Sequence, residues 1–90
     1  MDQKPTIGRI VHYVTEQGTV RPAMIVQIFD QASYPPGSDT VNLQVFTDFG
    51  NDGSDPELAS ATISGAAWCP SRARSDEPKP RHWHWPPRVS

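Results

Sequence analysis

Apolar and polar residues alternate with a period of two along most of this chain, and that pattern predicts short strands. Over residues 7–15, Ile10, His12 and Val14 fall on one face, with Arg9, Val11 and Tyr13 on the other. Glu16-Gln17-Gly18 reads as a turn. Residues 20–30 form the next extended segment. Met24, Val26 and Ile28 share one face and Ala23, Ile25, Gln27 and Phe29 the other, so much of both sides is expected to be buried. Pro22 calls for an edge or a bulge. The cleanest alternation lies in residues 41–47, where Val41, Leu43 and Val45 point one way and Asn42, Gln44 and Phe46 the other. A weaker strand is expected over residues 58–63, and a final one over residues 82–85. In the latter, Trp83 and Trp85 share one face and His82 and His84 the other.

Between these segments the turn signals are dense. Residues 31–40 centre on Pro35-Pro36-Gly37, and residues 48–55 carry Gly50 and Gly53. Residues 71–80 read as a polar loop, and 86–90 as a short tail after Pro86-Pro87. No segment keeps a helical period beyond two turns. Four or five short strands predict a single domain over residues 1–90: an all-β, strongly curved antiparallel barrel.

Composition sharpens this. Ten prolines in 90 residues disfavour a helical bundle. The single Cys69 excludes an intrachain disulfide framework. The longest apolar run, residues 23–29, is interrupted by Gln27 and falls well short of the about 20 residues of a spanning helix, so no membrane association is expected. The N-terminus lacks a leader pattern, and an intracellular, cytoplasmic location is expected. The net charge of −2 hides a division. Residues 1–69 hold three basic and eight acidic side chains, a net of −5; residues 70–90 hold five basic and two acidic, a net of +3. Such a body does not suit general DNA binding, whose affinity comes largely from neutralised phosphates. It would suit a small anion held near the tail.

Several segments together resemble a group of small phage-encoded proteins. These are Gly8-Arg9-Ile10-Val11-His12-Tyr13-Val14, Arg21-Pro22-Ala23-Met24-Ile25-Val26, Val41-Asn42-Leu43-Gln44-Val45-Phe46 with the following turn, and the close Trp83-His84-Trp85-Pro86. The His-Tyr pair and the Trp-His-Trp-Pro close are the most specific parts. The resemblance does not extend to Trp68-Cys69-Pro70 or to residues 72–80. It implies an SH3-like small barrel and a phage accessory protein acting in the infected bacterial cell. Some small phage proteins sequester cyclic-nucleotide signals of host antiviral defence without cleaving them, and by analogy that is the function expected here.

The residues permit such a site. A nucleotide pocket needs an aromatic platform for the base and cations for the phosphate. Stacking is worth roughly 1–3 kcal/mol per base. Tyr13, Trp83 and Trp85 could supply platforms, Arg9, Arg21 and Arg81 charge, and His84 a hydrogen bond. A thin barrel also needs large side chains inside, so at least one of Trp83 and Trp85 is expected in the core. A domain this small has little concave surface, which predicts a homo-oligomer with shared pockets, joined through Met24, Ile25, Ile28 and Phe29.

Other chemistry is less well supported. His82-x-His84, with His12 elsewhere, could share a zinc ion with a third ligand such as Cys69 or an Asp, but nothing in the spacing demands it, and no metal or cofactor is expected. Cys69, between Trp68 and Pro70, suits a small buried hydrophobe better than a nucleophile. Asp48-Phe49-Gly50 lacks the rest of a kinase, and Gly50-Asn51-Asp52-Gly53 lacks calcium-loop spacing. With no activated nucleophile or acid–base pair, a non-enzymatic role is expected. The alternative to nucleotide sequestration is a Tudor- or SH3-like protein-interaction module, a virion component or a direct inhibitor of a host protein. Its aromatic cage would be drawn from His12, Tyr13 and Phe46 or Phe49.

Overall fold

A computed structural model describes residues 4–29, 39–48, 51–59 and 64–87. The chain is all-β, as the alternation predicts. Its strands are β1 (Ile10–Val14), β2 (Val20–Ile28), β3 (Val41–Phe46), β4 (Ala66–Arg72) and β5 (His82–His84). They form one five-stranded sheet in the order β4-β3-β2-β1-β5. Every neighbouring pair is antiparallel. The sheet curls until its two ends meet. Just beyond β4, Arg74 bridges Trp83 of β5; Trp83 N donates to Ala73 O and Ser75 N to Trp83 O. This is the small, strongly curved antiparallel barrel anticipated from the pattern.

The inward faces follow the period of two. Val11 and Tyr13, Ala23 and Ile25, Leu43 and Val45, Ala67 and Cys69, and Trp83 make up the buried core with Val41 and Leu58. Ile28 and Trp85 pack against it from the rim. A bulge between Ile25 and Gln27 shifts the register of β2 against β3. The extra residue bends the strand and is one source of the curl. Pro22 is opposite His12 on β1, and the β2–β3 pairing starts only at Ala23. The proline thus occupies the end of β2 that has a partner on one side only, where a missing N–H costs no ladder bond. In the β1–β2 turn, Gly18 adopts φ 87° and donates to Thr15 O at 2.9 Å. That left-handed conformation is one glycine takes at little cost.

Two expectations are corrected. Leu58 belongs to a run of turns rather than a strand, and residues 60–63 lie outside the described residues. The fourth strand is instead Ala66–Arg72, which overlaps the expected polar loop. Its alanines and Pro70 give it weak intrinsic strand character. As an end strand of the sheet, β4 tolerates the proline. The Pro35-Pro36-Gly37 loop centre, Phe49, Gly50 and the last residues of the tail also lie outside the described residues. No helix among the described residues is long and apolar enough to cross a membrane.

Candidate functional site

The two most distinctive sequence segments pair directly with each other. In the β1–β5 register, His12 is opposite His84 and Tyr13 opposite Trp83. Alternation then sends the two pairs to opposite sides. Tyr13 and Trp83 enter the core and are both 0% exposed. His12 and His84 stand half-buried on the outer face, edge to face, with ring centres 5.6 Å apart. Burial, then the neighbouring His12, lowers the pKa of His84 from its ordinary value.

The residues expected to bind a nucleotide are therefore dispersed. Tyr13 and Trp83 present no free ring face. Trp83 Nε1 donates to Asp39 O at 3.1 Å, a fixed partner of the kind a buried indole needs. Arg21 is held by Asp52, Nε to Oδ2 at 2.9 Å and Nη2 to Oδ1 at 2.8 Å. Arg81 is exposed at the entry to β5, with φ 66° and its N–H on Val14 O. Arg9 precedes β1 and Trp85 follows β5, at the other end of that strand pair. There the Arg9 guanidinium lies 5.0 Å from the Trp85 ring centre. Trp85 in turn meets Trp83 edge to face at 5.1 Å. Of the expected set, Tyr13, Trp83 and Trp85 come together in and against the core, while outside it Arg9 meets Trp85 and His84 meets His12 of the alternative aromatic cage.

Part of the division of charge is paired inside the fold. Arg72 and Arg74, from the basic segment, turn back onto the acidic body. Arg74 pairs with Asp39 at 2.7 Å and with Asp76. Arg72 donates from Nε to Tyr13 OH at 2.8 Å, from Nη2 to Glu57 Oε2 at 2.7 Å and from Nη1 to Pro70 O at 2.7 Å. Tyr13 OH donates to the same Glu57 Oε2 at 2.5 Å. Burial first, then the Glu57 hydrogen bond, raises the pKa of the Tyr13 phenol, so it stays protonated as a donor. These partners lie 15 to 59 positions apart along the chain, and no local motif announces them. Burial and then the Glu57 charge push the Cys69 thiol up to about 11. At pH 8 Cys69 is expected to react with a thiol reagent only as fast as the fold opens, and at the free-thiol rate in denaturant. Fast labelling of the native chain would contradict its burial.

Asp52 organises the turn below the barrel. It accepts from Asp48 N at 2.6 Å in addition to Arg21. The Arg21 hydrogen bonds hold its carboxyl below the usual carboxylate range. A depressed carboxyl contributes stability that is complete above its unfolded pKa and is lost as pH falls through its folded one. Urea midpoints measured below pH 5 are therefore expected to fall more steeply for the native sequence than for Asp52→Asn. Parallel curves would remove Asp52 from the acid response.

The outer face of the sheet is a site the charge and motif patterns did not reveal. Cross-strand register sets Ile10, Met24, Gln44 and Trp68 in one row across β1 to β4. Beside it run His84, His12 and Pro22, while Phe46 is opposite Ala66. Trp68 is 60% exposed, Ile10 44% and Phe46 40%. No residue named in these rows carries a formal charge. The apolar excess expected for an interface at Met24, Ile25, Ile28 and Phe29 is largely directed elsewhere. Ile25 is core, Ile28 packs on the core, and Met24 and Phe29 are half-buried.

Compared with protein-family models, curated proteins and solved structures, the chain finds no match.

Proposed function

We propose that this chain is a non-catalytic β-barrel module of the phage accessory type, and that it holds a partner protein on the outer face of β1 to β4. The observation that carries the reading is Trp68, 60% exposed on a strand beside Phe46 at 40%. A tryptophan ring buries more apolar area than any other side chain when covered, and tryptophan anchors are prominent among interface hot spots. The face lacks charge, so the fitting partner presents an apolar, shape-matched surface rather than a phosphate backbone or an acidic peptide. Phage origin rests on the sequence resemblance alone.

The test begins with capture of host and phage proteins by the native chain and by Trp68→Ala and Phe46→Ala. A protein retained only by the native chain is then purified and titrated. Binding lowered by about 2 kcal/mol or more by Trp68→Ala, the size expected of a hot-spot residue, supports the reading. A reconstituted complex indifferent to both substitutions overturns it.

A second reading, sequestration of a nucleotide signal, retains support from the Arg9–Trp85 stack at the barrel rim. That pair offers a cation and a ring side by side. Thermal denaturation against cyclic di- and trinucleotides and cyclic ADP-ribose isomers tests it. A ligand at 100 times its dissociation constant adds about 2.7 kcal/mol of stability. A midpoint shift abolished by Trp85→Ala would favour this reading, and no shift across the panel would remove it.

A further inference from the structure

We propose that His12 and His84 form a two-imidazole site for a divalent transition cation such as Zn²⁺, Ni²⁺ or Cu²⁺ on the outer face of the β1–β5 pair. The two residues are direct cross-strand partners. Their backbones are therefore fixed by the ladder, and opposite side chains in an antiparallel pair have Cβ atoms only about 4.5–5.5 Å apart. Imidazole nitrogens bind zinc at about 2.0–2.1 Å. With one nitrogen of each ring on a metal at a near-tetrahedral angle, the ring centres stand roughly 5 Å apart. The observed separation is 5.6 Å, with the ring planes at 86°. Sharing a metal requires one nitrogen of each ring to turn toward the partner about the terminal torsion, which is broad for histidine.

A second observation concerns the same ring. His84 Nδ1 is buried and has no hydrogen-bond partner. A buried ring nitrogen without a partner is costly, and a cation at that nitrogen would supply the missing interaction.

The third histidine is set apart by the same register. His82 shares the outer face but is opposite Val14 rather than His12. Its Nδ1 lies 2.9 Å from Pro80 O, a local contact that orients the ring. No group of three potential ligands exists among the described residues. The site therefore offers two protein ligands, with the remaining positions left to water or to a donor from a bound molecule. Sequence spacing pointed to His82 and His84 as the pair. The fold replaces His82 with a residue seventy-two positions from His84, because a ladder partner is closer than a neighbour two along the same strand.

Calorimetric titration of the native chain with Ni²⁺ or Zn²⁺ alone is expected to give one equivalent. His12→Gln and His84→Gln should each weaken it by at least the roughly tenfold that losing even an outer-shell partner of a metal site costs. His82→Gln should bind as the native chain does. Circular dichroism confirms that each variant is folded. Electron paramagnetic resonance of the Cu²⁺-loaded native chain, which needs no variant, should show two coupled nitrogens. No binding at millimolar metal, binding indifferent to His12→Gln and His84→Gln, equal loss in His82→Gln, or a single coupled nitrogen would each overturn the proposal.

Discussion

Trp83→Ala is expected to cost about 3–5 kcal/mol, the usual range for removing a fully buried large aromatic. A chain of 90 residues has roughly 5–13 kcal/mol in total at typical stability per residue, so this one change takes a large share. The effect has several parts. The ring is 0% exposed and fills the barrel where β1 and β5 meet. Its indole N–H satisfies Asp39 O, and its removal leaves that carbonyl without the bond. Trp85 loses the ring it packs against. Backbone bonds from Trp83 also join β5 to the segment after β4, so a cavity here loosens the place where the sheet closes. Urea denaturation followed by far-UV circular dichroism measures the loss. Trp68→Ala is the contrast: on the exposed outer face it should change stability by less than about 0.5 kcal/mol. Equal losses in the two variants would contradict the assignment of Trp83 to the inside and Trp68 to the outside.

Arg72→Ala should be nearly as damaging, at about 3 kcal/mol. Breaking a buried ion pair from one side costs about 3–5 kcal/mol because the remaining charge is uncompensated. The lower end applies here, since the Arg72 and Glu57 side chains retain 15% and 10% exposure and water screens the pair in part. The substitution strands Glu57, whose Oε1 is already buried without a partner. It also removes the donor to Tyr13 OH and the bond to Pro70 O that holds the end of β4. Adding Glu57→Leu to Arg72→Met should recover part of the loss, because an apolar replacement of both partners leaves no stranded charge, only the Tyr13 hydroxyl without these two bonds. Urea midpoints of the single and double variants measure the coupling. A double variant as unstable as the sum of the singles would show that the two residues act independently, and would contradict the coupling.

These two residues also mark where sequence reading succeeds and where it stops. Trp83 could be placed on a strand, and on a face opposite His84, from alternation alone. A strand has only two faces, so a period of two is enough. Its choice between core and pocket was open, because a tryptophan serves both. Arg72 was legible only as one more positive charge near the C-terminus. Its partners, Tyr13 and Glu57, come from β1 and from the turns before β4. Nothing local to any of the three residues specifies the other two. The same holds for Arg21 with Asp52 and Arg74 with Asp39: side chains that could have paired with a ligand's phosphate are spent on internal carboxylates.

β4 shows a different limit. Alanine and proline give Ala66–Arg72 a poor intrinsic score as a strand, and only pairing with β3 makes it one. That pairing is also what brings Trp68 out beside Phe46. The exposed aromatic face is therefore a product of register, which a local pattern does not carry.

By itself, the sequence determined the class of the fold, the positions of β1, β2, β3 and β5, and which residues share a face of each strand. These follow from periodicity and turn chemistry, both of which act over a few residues. The tertiary structure alone decided that Tyr13 and Trp83 are core and that Arg72 and Arg74 of the basic segment pair with Glu57 and Asp39 of the acidic body. It also decided that His12 meets His84 and that an uncharged face with Trp68 looks outward. Each of these depends on which strands become neighbours and in what register. Those contacts form between residues far apart in the chain, when the sheet curls to bury a core too thin to be built from any one strand.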